Sequence, residues 1–171
     1  MTGDLAAIIA AFLSTIPWLL TAAMLAVIVL DTTRYVIPNS LNLALLVLWG
    51  MAAFFLPLNP LMALAAAGLV LLVGLGFFAL GLMGGGDIKL LVVLTLWLGW
   101  SITALHFLML TAIVGGALVI VLLLLRAVAA MLSRGRELPR ILMPKQPVPY
   151  GIAIALAFLL LLWRGSIPAL A

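Results

Sequence analysis

Gly84-Gly85-Gly86-Asp87-Ile88-Lys89 decides how this chain is read. Three glycines, an acid and a base interrupt an otherwise apolar sequence. Asp87 is one of only four acidic residues among 171. An ionisable side chain is expensive to hold near lipid, so such a residue marks a functional site by default. The sequence must then supply a partner for Asp87 and a task for the pair.

The lipid comes from composition. The chain is 68% hydrophobic and 7% charged, with a mean hydropathy of +1.49. That leaves too little polar surface to cover a soluble domain. Repeated apolar runs of spanning length predict an all-α, polytopic membrane protein, and the short alternating strands of a barrel are absent. Without cysteine, disulfides, zinc–thiolate sites and thiol nucleophiles are excluded. One histidine and four scattered acids offer no obvious metal cluster, so neither a metal nor an organic cofactor is expected. The net charge of +4 reads as orientation in the membrane, with lipid and not nucleic acid as its partner.

The first run, 5–30, begins after Asp4 and lacks both a basic leader and a small-residue cleavage site, so it reads as a retained span. Pro17 is expected to kink it. Asp31-Thr32-Thr33-Arg34-Tyr35 is a polar exit, and Ile37-Pro38-Asn39-Ser40 a fresh helix start. A second span, 41–56, and a third, 61–82, flank the turn Pro57-Leu58-Asn59-Pro60. Residues 88–125 are apolar except for Lys89 and His106. That stretch is too long for one span of about 20 residues and is just enough for two short ones.

Charge chooses between one span and two. Two spans, 88–98 and 102–125 around Gly99-Trp100-Ser101, put Arg34, Lys89, Arg126, Arg134, Arg136, Arg140 and Lys145 on one face, against Arg164 alone. A single span splits the same residues three against five. The positive-inside rule selects two. Residues 126–149, with Pro139, Pro144, Pro147 and Pro149, form a basic cytoplasmic loop with a helical start. A last span covers 150–166. The expectation is one membrane-embedded domain, 1–171, with six spans and both termini outside.

Parity then gives Asp87 its partner. Asp31 follows span one and Asp87 follows span three, so both lie on the basic, cytoplasmic side. Two carboxylates held close share a proton, and one can act as base while the other acts as acid. Each has a plainer role. Asp87 after glycines suits a helix N-cap, the stronger reading for that motif alone. Asp31 suits a helix-end charge paired with Arg34. Two of only four acids on one face outweigh both.

The remaining features carry less. Lys89 lies off the helical face of Asp87 and reads as snorkelling to the interface, with a minor electrostatic role. Gly84, Gly85 and Gly86 allow close backbone approach, for packing or for an extended substrate. His106 reads as a bundle-interior or interfacial side chain. Ala63 with Ala67, and Ala112 with Gly116, are candidate packing pairs. The five tryptophans read mostly as interface anchors.

These residues together resemble the type IV prepilin peptidases, membrane aspartic peptidases with a GxGD motif. Gly84 to Leu91 resembles their second-aspartate motif. Asp31 with Arg34 and Ile37-Pro38-Asn39 resembles the first, and Pro149-Tyr150-Gly151 the approach to their last helix. The resemblance implies that Asp31 and Asp87 are catalytic, with Gly84, Gly85, Gly86, Lys89, Arg34, Pro38, Asn39, Pro149 and Gly151 as supporting motif residues. It implies cleavage of a short basic leader from prepilin-like precursors at the cytoplasmic face of the inner membrane. Larger relatives carry a cysteine-bearing domain that methylates the new terminus. This chain shows no such domain and is similar to the compact peptidases of tight-adherence (Flp-type) pili, so no methyltransferase activity is expected. An archaeal preflagellin peptidase is the rival within the fold. A non-catalytic scaffold of a pilus or secretion assembly is the rival outside it, and a proton-coupled transporter ranks last.

Overall fold

The computed structural model describes residues 2–56, 59–132, 143, 148–167 and 170. Six helices follow one another among them: α1 (Thr2–Arg34), α2 (Asn39–Ala52), α3 (Pro60–Ala79), α4 (Gly85–Leu98), α5 (Ile102–Leu132) and α6 (Tyr150–Trp163). The protein is an all-α, polytopic membrane protein. Its long helices are apolar on every side, and large side chains such as Leu5, Leu72, Ile113 and Leu124 stay more than half exposed. A helix apolar all round belongs inside a protein or in lipid, and outward-facing leucines select lipid. Three helices, α1, α3 and α5, are long and apolar enough to cross a membrane.

The other three have 14 residues each, about 21 Å at 1.5 Å per residue. The hydrocarbon core is about 30 Å thick, so they fall short of it. Boundaries shift from the sequence expectation accordingly. α1 runs on through Asp31 to Arg34 and α5 continues past Arg126 to Leu132, while α2 stops at Ala52. Pro17 lies inside a continuous α1. Of the basic loop, Arg134, Arg136, Arg140 and Lys145 lie outside the described residues.

α4 is the central helix. It packs most extensively on α3 and also touches α2, α5 and α6, and from Val93 to Leu98 every side chain is buried. Trp97 is therefore fully enclosed, and Trp49 is buried in the inward stripe of α2 with Asn42, Leu45 and Ala52. These two are core residues, not interface anchors; Trp18, Trp100 and Trp163 are exposed. Ala63 and Ala67 are buried on α3, whose helix partner is α4. The second expected pair fails. Ala112 is exposed and nothing approaches Gly116, because the inner face of α5 runs through Thr111, Gly115, Leu122 and Arg126. His106 is exposed at the start of α5.

The long apolar stretch breaks where the sequence is weakest. Gly99 ends α4 at φ 63 and ψ −163, a combination essentially confined to glycine. Ser101 Oγ then accepts from the Ala104 amide at 3.2 Å and starts α5. Gly99→Ala should cost about 1–3 kcal/mol, read as a lower unfolding temperature in detergent. Gly50→Ala should raise that temperature, since Gly50 sits in α2 with open space around its Cα and alanine is favoured there by about 1 kcal/mol. Equal effects of the two substitutions would contradict this account of the turn.

Candidate functional site

Three segments bring the motifs together. α1 ends one turn after Asp31, and Tyr35 closes it with its amide on the Asp31 carbonyl at 3.1 Å. Val36-Ile37-Pro38 then cross to α2. The α3–α4 turn supplies Gly84 to Asp87, and Pro149 leads into α6. A cavity of about 860 Å³ opens between them, lined by both Asp31 and Asp87 together with Pro38, Asn39, Gly84, Gly85, Gly86 and Tyr150.

Glycines set the spacing behind the cavity. A Cβ on Gly151 would lie 2.8 Å from Asp31 Oδ2 and 2.9 Å from Ile37 Cδ1. A Cβ on Gly86 would lie 3.4 Å from Ile37 Cβ and 3.5 Å from the Ile37 carbonyl oxygen. Ile37 is thus a buried wedge between the Asp87-bearing and Asp31-facing segments, seated against a glycine on each side. Hydropathy hides it among many isoleucines; only its place before Pro38 sets it apart.

The carboxylates have different surroundings. Asp31 is 5% exposed and faces the backbone amides of Gly151 and Ile152, with Oδ2 buried and without a hydrogen-bond partner. Asp87 is half-buried. It occupies the third helical position of α4, not the N-cap: Gly84 is the cap, and its amide donates to Asp87 Oδ2 at 3.3 Å. Capping therefore accounts for one oxygen of Asp87 without removing it from the cavity. Asp87 precedes the apolar run of α4, and its carboxyl is pushed up to about 7, by burial first and then by the charge of Asp31.

The supporting residues divide. Lys89 Nζ donates to Asn39 Oδ1 at 2.9 Å, which ties the start of α4 to the start of α2 beside the cavity. The bond pairs two motif residues that lie fifty positions apart. Arg34 is exposed and does not line the cavity. Pro149 is buried as the N-cap of α6. Among the described residues no group of three or more metal-ligating side chains exists.

Comparison with known proteins places the chain in a family. The sequence profile of the type IV leader peptidase family matches residues 18–162. The chain belongs to that family. Two curated relatives are described as prepilin leader peptidase/N-methyltransferase, from Aeromonas salmonicida (strain A449) and Aeromonas hydrophila. Each is 35% identical to this leader peptidase family member over 161 residues, covering 87% of the chain and 49% of the relative. The chain thus spans about half the length of the curated relatives it matches. No solved structure matches it significantly. These similarities favour neither the archaeal preflagellin reading nor the scaffold.

The coupling is open to direct measurement. In detergent-solubilised protein the Asp87 carboxyl should titrate near 7, followed by its infrared carboxyl band. Asp31→Asn removes the neighbouring negative charge and should lower that midpoint, while burial keeps it above the ordinary aspartate range. An unchanged midpoint would mean that the two groups do not interact.

Proposed function

We propose that this chain is a membrane aspartic endopeptidase of the inner membrane, cleaving the short N-terminal leader of prepilin-like precursors at the cytoplasmic face. One observation carries the reading: the two acids implied by the family motifs line a single cavity in an otherwise apolar bundle. The domain is membrane-embedded with six spans, a basic cytoplasmic loop, both termini outside, and the cavity on the side of the basic residues. The precursor reaches the cavity from the membrane, and water reaches it from the cytoplasm.

Asp31 and Asp87 share the chemistry. The ionised carboxylate takes a proton from water, and the hydroxide oxygen forms a bond to the scissile carbonyl carbon. The protonated carboxyl gives its proton to the carbonyl oxygen, producing a neutral gem-diol. When the C–N bond breaks, the amine nitrogen leaves with a proton, and the pair again holds one. Asp31, buried against the start of α6, is the base. Asp87, whose proton persists to about pH 7, is the acid. Gly84 to Gly86 leave room for the extended precursor, and Lys89 with Asn39 fixes the cavity wall.

Coexpression with a prepilin-like precursor, followed by gel analysis of leader removal, tests the assignment. Asp31→Asn and Asp87→Asn should each slow cleavage by at least ~10²–10⁴-fold, the range for loss of an acid or base, with unchanged folding. The wild-type rate should fall as pH rises past about 7, because the proton given to the carbonyl is lost. Normal processing by either variant would refute the two-aspartate site.

A further inference from the structure

The protein has only two tyrosines, and both line the cavity that holds the aspartates. They are fixed in different ways. Tyr150 is locked by packing: a Cβ on Gly115 would lie 2.5 Å from its Cζ. Tyr35 is held by its backbone. Its φ of 55 makes it the single non-glycine residue with positive φ among those described, a conformation that costs side-chain-bearing residues about 1 kcal/mol or more.

Glycine is the usual residue at such a helix-ending position. Here it would close α1 with the same amide bond to the Asp31 carbonyl and without strain. Strain of this kind clusters at working sites, where a side chain is needed at a set place. Tyr35 stands one helical turn beyond Asp31, half-buried, on a cavity wall that includes Val36, Ile37, Met83 and Val119.

We propose that Tyr35 is a substrate-positioning residue, its ring forming the wall against which the precursor segment lies as it crosses Asp31. The inference rests on the peptidase reading above. The ring contacts the precursor equally before and during reaction, so its loss raises KM and leaves kcat nearly unchanged. The strained backbone holds the ring in the lining of the cavity that Tyr150 also lines.

Three substitutions in the full-length protein, purified in detergent and assayed with a prepilin-like precursor, separate ring from backbone. Tyr35→Ala and Tyr35→Gly both remove the ring, but only glycine relieves the strain. Tyr35→Gly should unfold about 2–4 °C above Tyr35→Ala, yet both should raise KM by about tenfold. Tyr35→Phe should restore KM. If KM instead followed stability, with Tyr35→Gly recovering wild-type values and Tyr35→Ala not, Tyr35 would be a helix terminator only and the proposal would be overturned. Wild-type KM in both ring-less variants would overturn it too. Asp31→Asn, run alongside, separates the two levels: equal cleavage by it and the wild type defeats the two-aspartate site and this inference, which places the precursor against Asp31, together. An inactive Asp31→Asn with unaffected Tyr35 variants defeats only the inference.

Discussion

Three short helices begin at one place. α2, α4 and α6 start at Asn39, Gly85 and Tyr150, and Asn39, Gly85 and Tyr150 all line the same cavity. Their caps are Pro38, Gly84 and Pro149, and no cap side chain bonds the first-turn amides. Each start brings the positive end of a helix dipole to the cavity, and at α6 the amides of Gly151 and Ile152 face Asp31. This convergence is what lets two acids exist in so apolar a protein. The cavity lies where these 14-residue helices start, and at about 21 Å each they are shorter than the hydrocarbon core.

The two acids then differ by position on this frame. Asp31 hangs from the end of a long helix over the α6 start, packed so closely that Gly151 cannot carry a methyl group without moving it. Asp87 belongs to the α4 start itself and shares an oxygen with the Gly84 amide. One is clamped by another element, while the other is partly satisfied by its own. Such unequal surroundings push two like groups toward different protonation states, the requirement for one acid and one base in a single pair.

Much of this was legible in the sequence, and the legible parts have a common cause. Hydropathy marked the six helices of the described residues, because lipid tolerates few residue types. The break at Gly99 was visible because glycine is the residue that such backbone angles demand. Side-chain direction was not legible. Helices that are apolar on every face carry no periodic signal, so nothing in the sequence separates buried Trp97 from exposed Trp100, or Gly115 from Gly116 one residue later. The Lys89–Asn39 bond and the Ile37 wedge are illegible for another reason: both join segments remote in sequence, and only topology brings them into contact.

Asp31 and Asp87 line one cavity, and their closeness is what the proposed chemistry requires. Because the natural sequence contains no cysteine, an Asp31→Cys/Asp87→Cys double variant has a clean background for short thiol cross-linking in native membranes. Rapid intramolecular bridging by a short bis-thiol reagent, absent from either single variant, is the predicted result. Single variants that each react with a maleimide, alongside a double variant that never bridges, would contradict the paired site.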